Sequence, residues 1–154
     1  ITKLMAARIC MNAGCATVIA SGKRLYPVQA IEDGVDCTWF LPGRTPRQAR
    51  KQWIAGTLVP RGSVTVDEGA ERALRAGSSL LPVGIIEVSG EFQSGDAVTI
   101  RNRAGRDLAR GLAAHSSDEA RRICGRRSEE LAALLGYSGR DEFIHRDNLA
   151  LLDA

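Results

Sequence analysis

The chain has 154 residues, 44% of them hydrophobic and 25% charged, with a formal net charge of +3. This composition is globular and excludes a disordered or collagen-like chain; no run reaches the ~20 apolar residues of a membrane helix, so no membrane partner is expected. The charge is uneven: residues 1–60 carry eight bases and three acids, residues 61–154 thirteen bases and fifteen acids.

The opening, ITKLMAARICMNAG, has no signal-peptide pattern and no initial Met, so a piece of a longer chain is expected. Leu4, Met5, Ile9 and Met11 fall at helical spacing, and Asn12-Ala13-Gly14 ends the turn. Residues 15–20 (CATVIA) are a continuous apolar run that predicts a buried strand. A helix follows Pro27, and residues 37–41 (CTWFL) read as a strand. Helix, buried strand, helix and strand is the rhythm of an α/β sheet, and four such elements do not close one.

Pro42-Gly43-Arg44 breaks that rhythm. Thr45-Pro46-Arg47-Gln48 then combines a capping hydroxyl, Pro at the first helical position and Gln at the third, a helix start; the helix carries Trp53 and stops near Gly56. Beyond Pro60-Arg61-Gly62 the texture changes to short strands and turns. Strands are predicted at residues 63–66, 85–88, 97–100, 107–114 and 142–152, and helices at 67–76, 116–125 and 128–135. Ser116-Ser117-Asp118-Glu119 is a capping box, and Gly136 ends the last helix. Many short strands with a few helices predict a small, mostly β barrel.

Signatures of chemistry are sparse. Phosphate loops, dinucleotide fingerprints, nucleophile elbows and zinc-protease motifs are all missing, so no catalytic residue and no metal ligand is assigned. Cys10, Cys15, Cys37 and Cys124 form no C-x-x-C pair, and buried free thiols in a reducing cytoplasm are expected. His115 and His145 stand apart from any ligand partner and read as structural or surface histidines. Asp67, Glu68 and Glu71 suit the first turn of a helix through its dipole. Arg106, Arg110, Arg121, Arg122, Arg126 and Arg127 could face phosphates, but interleaved carboxylates favour a salt-bridged surface. Thr2 and Lys3 differ, because a hydroxyl and an ammonium at a helix start form an anion site.

Taken in order, TK-x-x-AA (2–7), ARKQWIAG (49–56), VDEGA (66–70), GSSLLPVGI (77–85), GDAV-x-I (95–100), ARGL (109–112), LGY (135–137) and HRDN (145–148) resemble the C-terminal part of bacterial glutamate 5-kinases. The resemblance implies an α+β chain: residues 1–44 from the end of an α/β amino-acid-kinase domain, a connecting helix and linker at 45–59, and a mostly β PUA pseudobarrel with short helices at 60–154. It implies a cytoplasmic enzyme that phosphorylates the side-chain carboxylate of L-glutamate with ATP and Mg²⁺, beginning proline synthesis. Proline feedback and a homo-oligomer belong to the same implication. Thr2 and Lys3 inherit the end of the nucleotide loop and are the expected ATP-binding residues; the glutamate pocket and the catalytic aspartate are expected upstream, leaving residues 1–154 inactive alone. PUA modules in RNA-modifying enzymes bind RNA, and Arg121, Arg122, Arg126 and Arg127 would serve that alternative. The net negative charge of residues 61–154 and the 5% aromatic content argue against it.

Overall fold

A computed structural model describes residues 2–152 and divides into two compact units, Ile1–Arg50 and Lys51–Ala154. The fold is α+β.

In the first unit, α1 (Thr2–Asn12) leads into β1 (Thr17–Ile19), and α2 (Pro27–Glu32) precedes β2 (Thr38–Phe40). The turn after α1 needs Gly14: its φ is +77°, and a Cβ there would stand 2.7 Å from Pro46 Cα. β1 and β2 pair antiparallel, Thr17 opposite Phe40 and Val18 opposite Trp39. This two-stranded ladder corrects the expectation of a buried strand: β1 is half-buried along its length because the ladder has no second layer on both faces. Among the described residues of this unit, Ala7 and Ala49 are the buried apolar side chains, while Leu4, Met5, Ile9, Trp39 and Leu41 are exposed.

The helix α3 (Pro46–Gly56) runs across the division between units. Its start is the one read from sequence: the Thr45 N–H donates to Gln48 Oε1 at 3.0 Å, and the Gln48 N–H donates back to Thr45 Oγ1 at 3.3 Å.

The second unit is built on a five-stranded sheet ordered β4-β3-β5-β6-β7, with β3 at Gly62–Val66, β4 at Ile85–Gly90, β5 at Ala97–Arg101, β6 at Asp107–Leu112 and β7 at Leu149–Leu151. β3 pairs parallel with β5; the other neighbours are antiparallel. β5 is buried from Ala97 to Ile100, as an inner strand covered on both faces must be, whereas the edge strand β4 is mostly open. Three helices, α4 (Glu68–Arg75), α5 (Ser117–Ile123) and α6 (Ser128–Leu135), complete the unit. Asp67 caps α4 by accepting the Ala70 N–H at 2.7 Å. The core joins Val64, Val66, Leu74, Leu80, Ile85, Val98, Ile100, Phe143 and Ile144, with Phe92 edge-on to Phe143 at 6.3 Å between ring centroids.

The predicted strand at 142–152 is corrected. Strand pairing is confined to Leu149–Leu151 and an isolated bridge between Ile144 and Leu80. Between them, Arg146–Asn148 is a 3₁₀ turn, because His145 turns the chain on itself: its Nδ1 accepts the Asp147 N–H at 3.2 Å and its carbonyl accepts the Asn148 N–H at 2.8 Å. The cysteines are free, as expected, but Cys15 is exposed and the other three are half-buried, so their burial is corrected as well.

β3 and β4 cross closely at two glycines. Gly90 has φ +84°, and a Cβ on it would lie 2.7 Å from Gly62 Cα and 2.8 Å from the Arg61 carbonyl oxygen. Gly90→Ala is expected to destabilise the unit by at least about 2 kcal/mol, combining left-handed strain with a backbone clash. Gly56→Ala, with open space around it and no positive φ, should change little. Equal melting temperatures for the two variants would contradict this assignment of Gly90.

Candidate functional site

Thr2 and Lys3 are the first residues of α1, and both side chains are exposed. The first four N–H groups of a helix have no partner within it, and no acidic residue occupies the first turn of α1. Hydroxyl, ammonium and free N–H groups therefore gather at one end of an eleven-residue helix, an arrangement that suits an anion. Leu4, Met5 and Ile9 carry exposed apolar surface along the same helix.

The acidic trio has structural roles at α4. Asp67 is its cap, and Glu71 pairs with Arg75 at 2.9 Å; that hydrogen bond holds the Glu71 carboxyl below its ordinary range. Among the described residues, no three His, Cys, Asp or Glu side chains gather to hold a metal.

The side chains of Arg110, Arg121, Arg122 and Arg126 are engaged within the second unit. Arg121 reaches Glu91 at 2.7 Å, Asp118 at 3.1 Å and the Gly90 carbonyl at 2.7 Å. Arg126 lies 3.8 Å from Glu130, and Arg122 donates to the Leu134 carbonyl. The Arg127 backbone N–H donates to Glu130 Oε2 at 2.9 Å. Arg110 does something composition does not disclose: its guanidinium donates to the Ala55 carbonyl at 2.7 Å, placing a cation at the C-terminal turn of α3.

A polar network around His115 also escaped the sequence reading. His115 is buried and stacks on Phe143, with 6.5 Å between ring centroids. Its Nε2 faces the Arg140 carbonyl at 3.2 Å; a carbonyl only accepts, so Nε2 carries the hydrogen. Nδ1 then faces Glu119 Oε2 at 3.9 Å, too far for a hydrogen bond. Glu119 is the reciprocal member of the capping box: Oε2 accepts the Ser116 N–H at 3.0 Å, and Oε1 accepts the Tyr137 hydroxyl at 2.9 Å. The capping motif was the only local signal; the positions of His115 and Tyr137 around it depend on the loop that follows α6. Cys124 donates to the Ile85 carbonyl at 3.1 Å, and burial pushes its thiol up, as suits a packing role.

Residues 62–135 match the PUA domain family. The chain is 54% identical to a glutamate 5-kinase of Paramagnetospirillum magneticum over 151 residues, 98% of this chain and 41% of that protein. It is 55% identical to a glutamate 5-kinase of Rhodospirillum rubrum, again over 98% of this chain and 40% of the relative. It is homologous to the glutamate 5-kinases, and it carries a PUA domain. A solved PUA domain from Aeropyrum pernix K1 is 25% identical, with a TM-score of 0.43, covering 65% of this chain and 48% of that one. The chain spans about two-fifths of the length of these kinase relatives.

The Glu119 network makes stability depend on pH. The Ser116 backbone N–H holds the Glu119 carboxyl below its ordinary value against the opposing effect of burial, and the Tyr137 hydroxyl adds to the lowering. A carboxyl lowered on folding stabilises the fold above its unfolded pKa of about 4.3 and loses that contribution as pH falls through the folded value. Urea unfolding should therefore show wild type more stable than Glu119→Gln at pH 7, with the gap closing towards pH 3. A gap that stays constant or widens in acid would contradict the assignment.

Proposed function

We propose that this chain is the C-terminal part of a glutamate 5-kinase, and that the whole enzyme begins proline synthesis in the cytoplasm. A side-chain carboxylate oxygen of L-glutamate attacks the γ-phosphorus of ATP, the bond to the β,γ-bridging oxygen breaks, and glutamyl 5-phosphate and ADP result. The observation that carries this reading is identity above 50% over 98% of the chain, through both units and not the PUA domain alone.

Within that reaction the chain contributes binding. Phosphoryl transfer depends on positioning and on neutralising charge, and Lys3 at the exposed start of α1 supplies a fixed cation beside the Thr2 hydroxyl and the free N–H groups. Mg²⁺ would accompany the ATP phosphates in the complete enzyme, and no residue of this chain is assigned to it. No catalytic residue is assigned to this chain, and the glutamate pocket, proline feedback and homo-oligomer formation belong to the reading of the complete enzyme. No helix among the described residues is long and apolar enough to cross a membrane.

The alternative of an RNA-binding PUA module finds no specific support in the geometry. Arg121, Arg122 and Arg126 reach carboxylates or carbonyls of their own unit. RNA is therefore not proposed as a partner.

The reading is tested on the complete polypeptide. Lys3→Ala should raise the Michaelis constant for ATP by about tenfold, the value of one charge-assisted contact, with the melting temperature unchanged because Lys3 is exposed. Residues 1–154 alone should not release ADP in the presence of glutamate. Glutamate-dependent turnover by residues 1–154, or ATP kinetics indifferent to Lys3, would contradict these assignments.

A further inference from the structure

After β1 the chain forms an open basin of about 570 Å³ lined by Lys23, Arg24, Leu25, Tyr26, Gln29 and Asp33. Its charges are unevenly engaged. The Asp33 carboxylate accepts the Gln29 side-chain amide at 3.2 Å, whereas the Lys23 ammonium and the Arg24 guanidinium have no hydrogen-bond or ion-pair partner among the described residues. Two neighbouring apolar side chains are as open as any on this unit: Leu25 is 88% exposed and Tyr26 80%.

Tyr26 is also the one non-glycine residue with positive φ among those described, at φ 55° and ψ 60°. It precedes Pro27, a position where extended backbone is favoured. The strained conformation brings the side chain no burial, and strain of that kind collects where chains meet ligands. α1 packs on β1 across a connection of four residues, so the start of α1 and the turn after β1 belong to one compact unit.

We propose that the 23–26 turn is a second wall of the nucleotide site, with Lys23 and Arg24 on the phosphates and the Tyr26 ring against the base. This rests on the kinase reading, through the assignment of Thr2 and Lys3 to the nucleotide. Two free cations beside an open aromatic ring match the two halves of a nucleoside triphosphate: charge for the phosphates and a flat apolar face for the base. Inorganic triphosphate would use the cations but not the ring.

The test is calorimetric titration of the complete enzyme with ATP and separately with inorganic triphosphate, alongside glutamate-dependent ADP release. The variants are Lys23→Ala with Arg24→Ala, Tyr26→Ala and Tyr26→Phe, each with its melting temperature measured. The double variant should weaken both ligands by about tenfold. Tyr26→Ala should weaken ATP and leave triphosphate unchanged, and Tyr26→Phe should restore ATP binding. ATP affinity unaffected in an enzyme that still phosphorylates glutamate would overturn the second wall and leave the kinase reading standing. The expected losses of ATP affinity in an enzyme inert towards glutamate would uphold the wall and remove the kinase reading. A loss of ATP binding that Tyr26→Phe does not restore would overturn the role of the ring.

Discussion

β3 is hydrogen-bonded along both edges, antiparallel to β4 and parallel to β5, and this double pairing holds Val64 and Val66 out of contact with water. Each such side chain contributes about 1.5–3 kcal/mol when fully buried. The parallel partner imposes a long connection, which α4 and β4 fill, and the helix is anchored at both ends of its task. Asp67 caps it, and Leu74 enters the same core as Val64. The close β3–β4 crossing tolerates no Cβ at Gly90, and one at Gly62 would strike Phe92 and the Ser89 carbonyl at 2.6 Å. Ile144 and Phe143 then pack from the far end of the chain, tied through backbone hydrogen bonds to Leu80. The second unit holds together because an inner strand, its crossover and the last segment of the chain share one core.

The first unit is organised on the opposite principle. It has little buried apolar surface of its own, while Trp39, Leu41, Leu4 and Met5 lie open to solvent. The residues proposed for the nucleotide also lie at its surface. Thr2 and Lys3 are at the start of α1, and Lys23, Arg24 and Tyr26 lie in the turn after β1. These groups have no tight internal partners to satisfy, which leaves them available to a charged ligand. The second unit therefore carries a self-sufficient core, and the first carries the residues proposed for the nucleotide.

Much of the fold was legible wherever a local rule sets it. Thr45-Pro46 and Gln48 form the reciprocal cap their spacing implies, Ser116 and Glu119 do the same, and Gly136 ends α6 in the left-handed conformation. What escaped depends on distant partners. The parallel β3–β5 pairing, the bond from Arg110 to Ala55 fifty-five residues away, and the burial of His115 against Phe143 have no local signal. Residues 142–152 carry strand-forming composition, yet the His145 turn overrides it locally. The exposed helix start at Thr2 and Lys3 was readable from spacing, but the ligand proposed for it came only through resemblance. Tyr26 ran against its local rule, since a residue before proline is ordinarily extended.

Amide hydrogen exchange on residues 1–154 tests this division between core and contact surface most directly. Exchange protection tracks local opening free energy, which rises with buried apolar contact. Slow exchange is expected in β3, β5 and β6, together with rapid exchange in α1, β1, α2 and β2. Protection of α1 and β1 equal to that of β5 would contradict the claim that the core of this chain lies in its second unit.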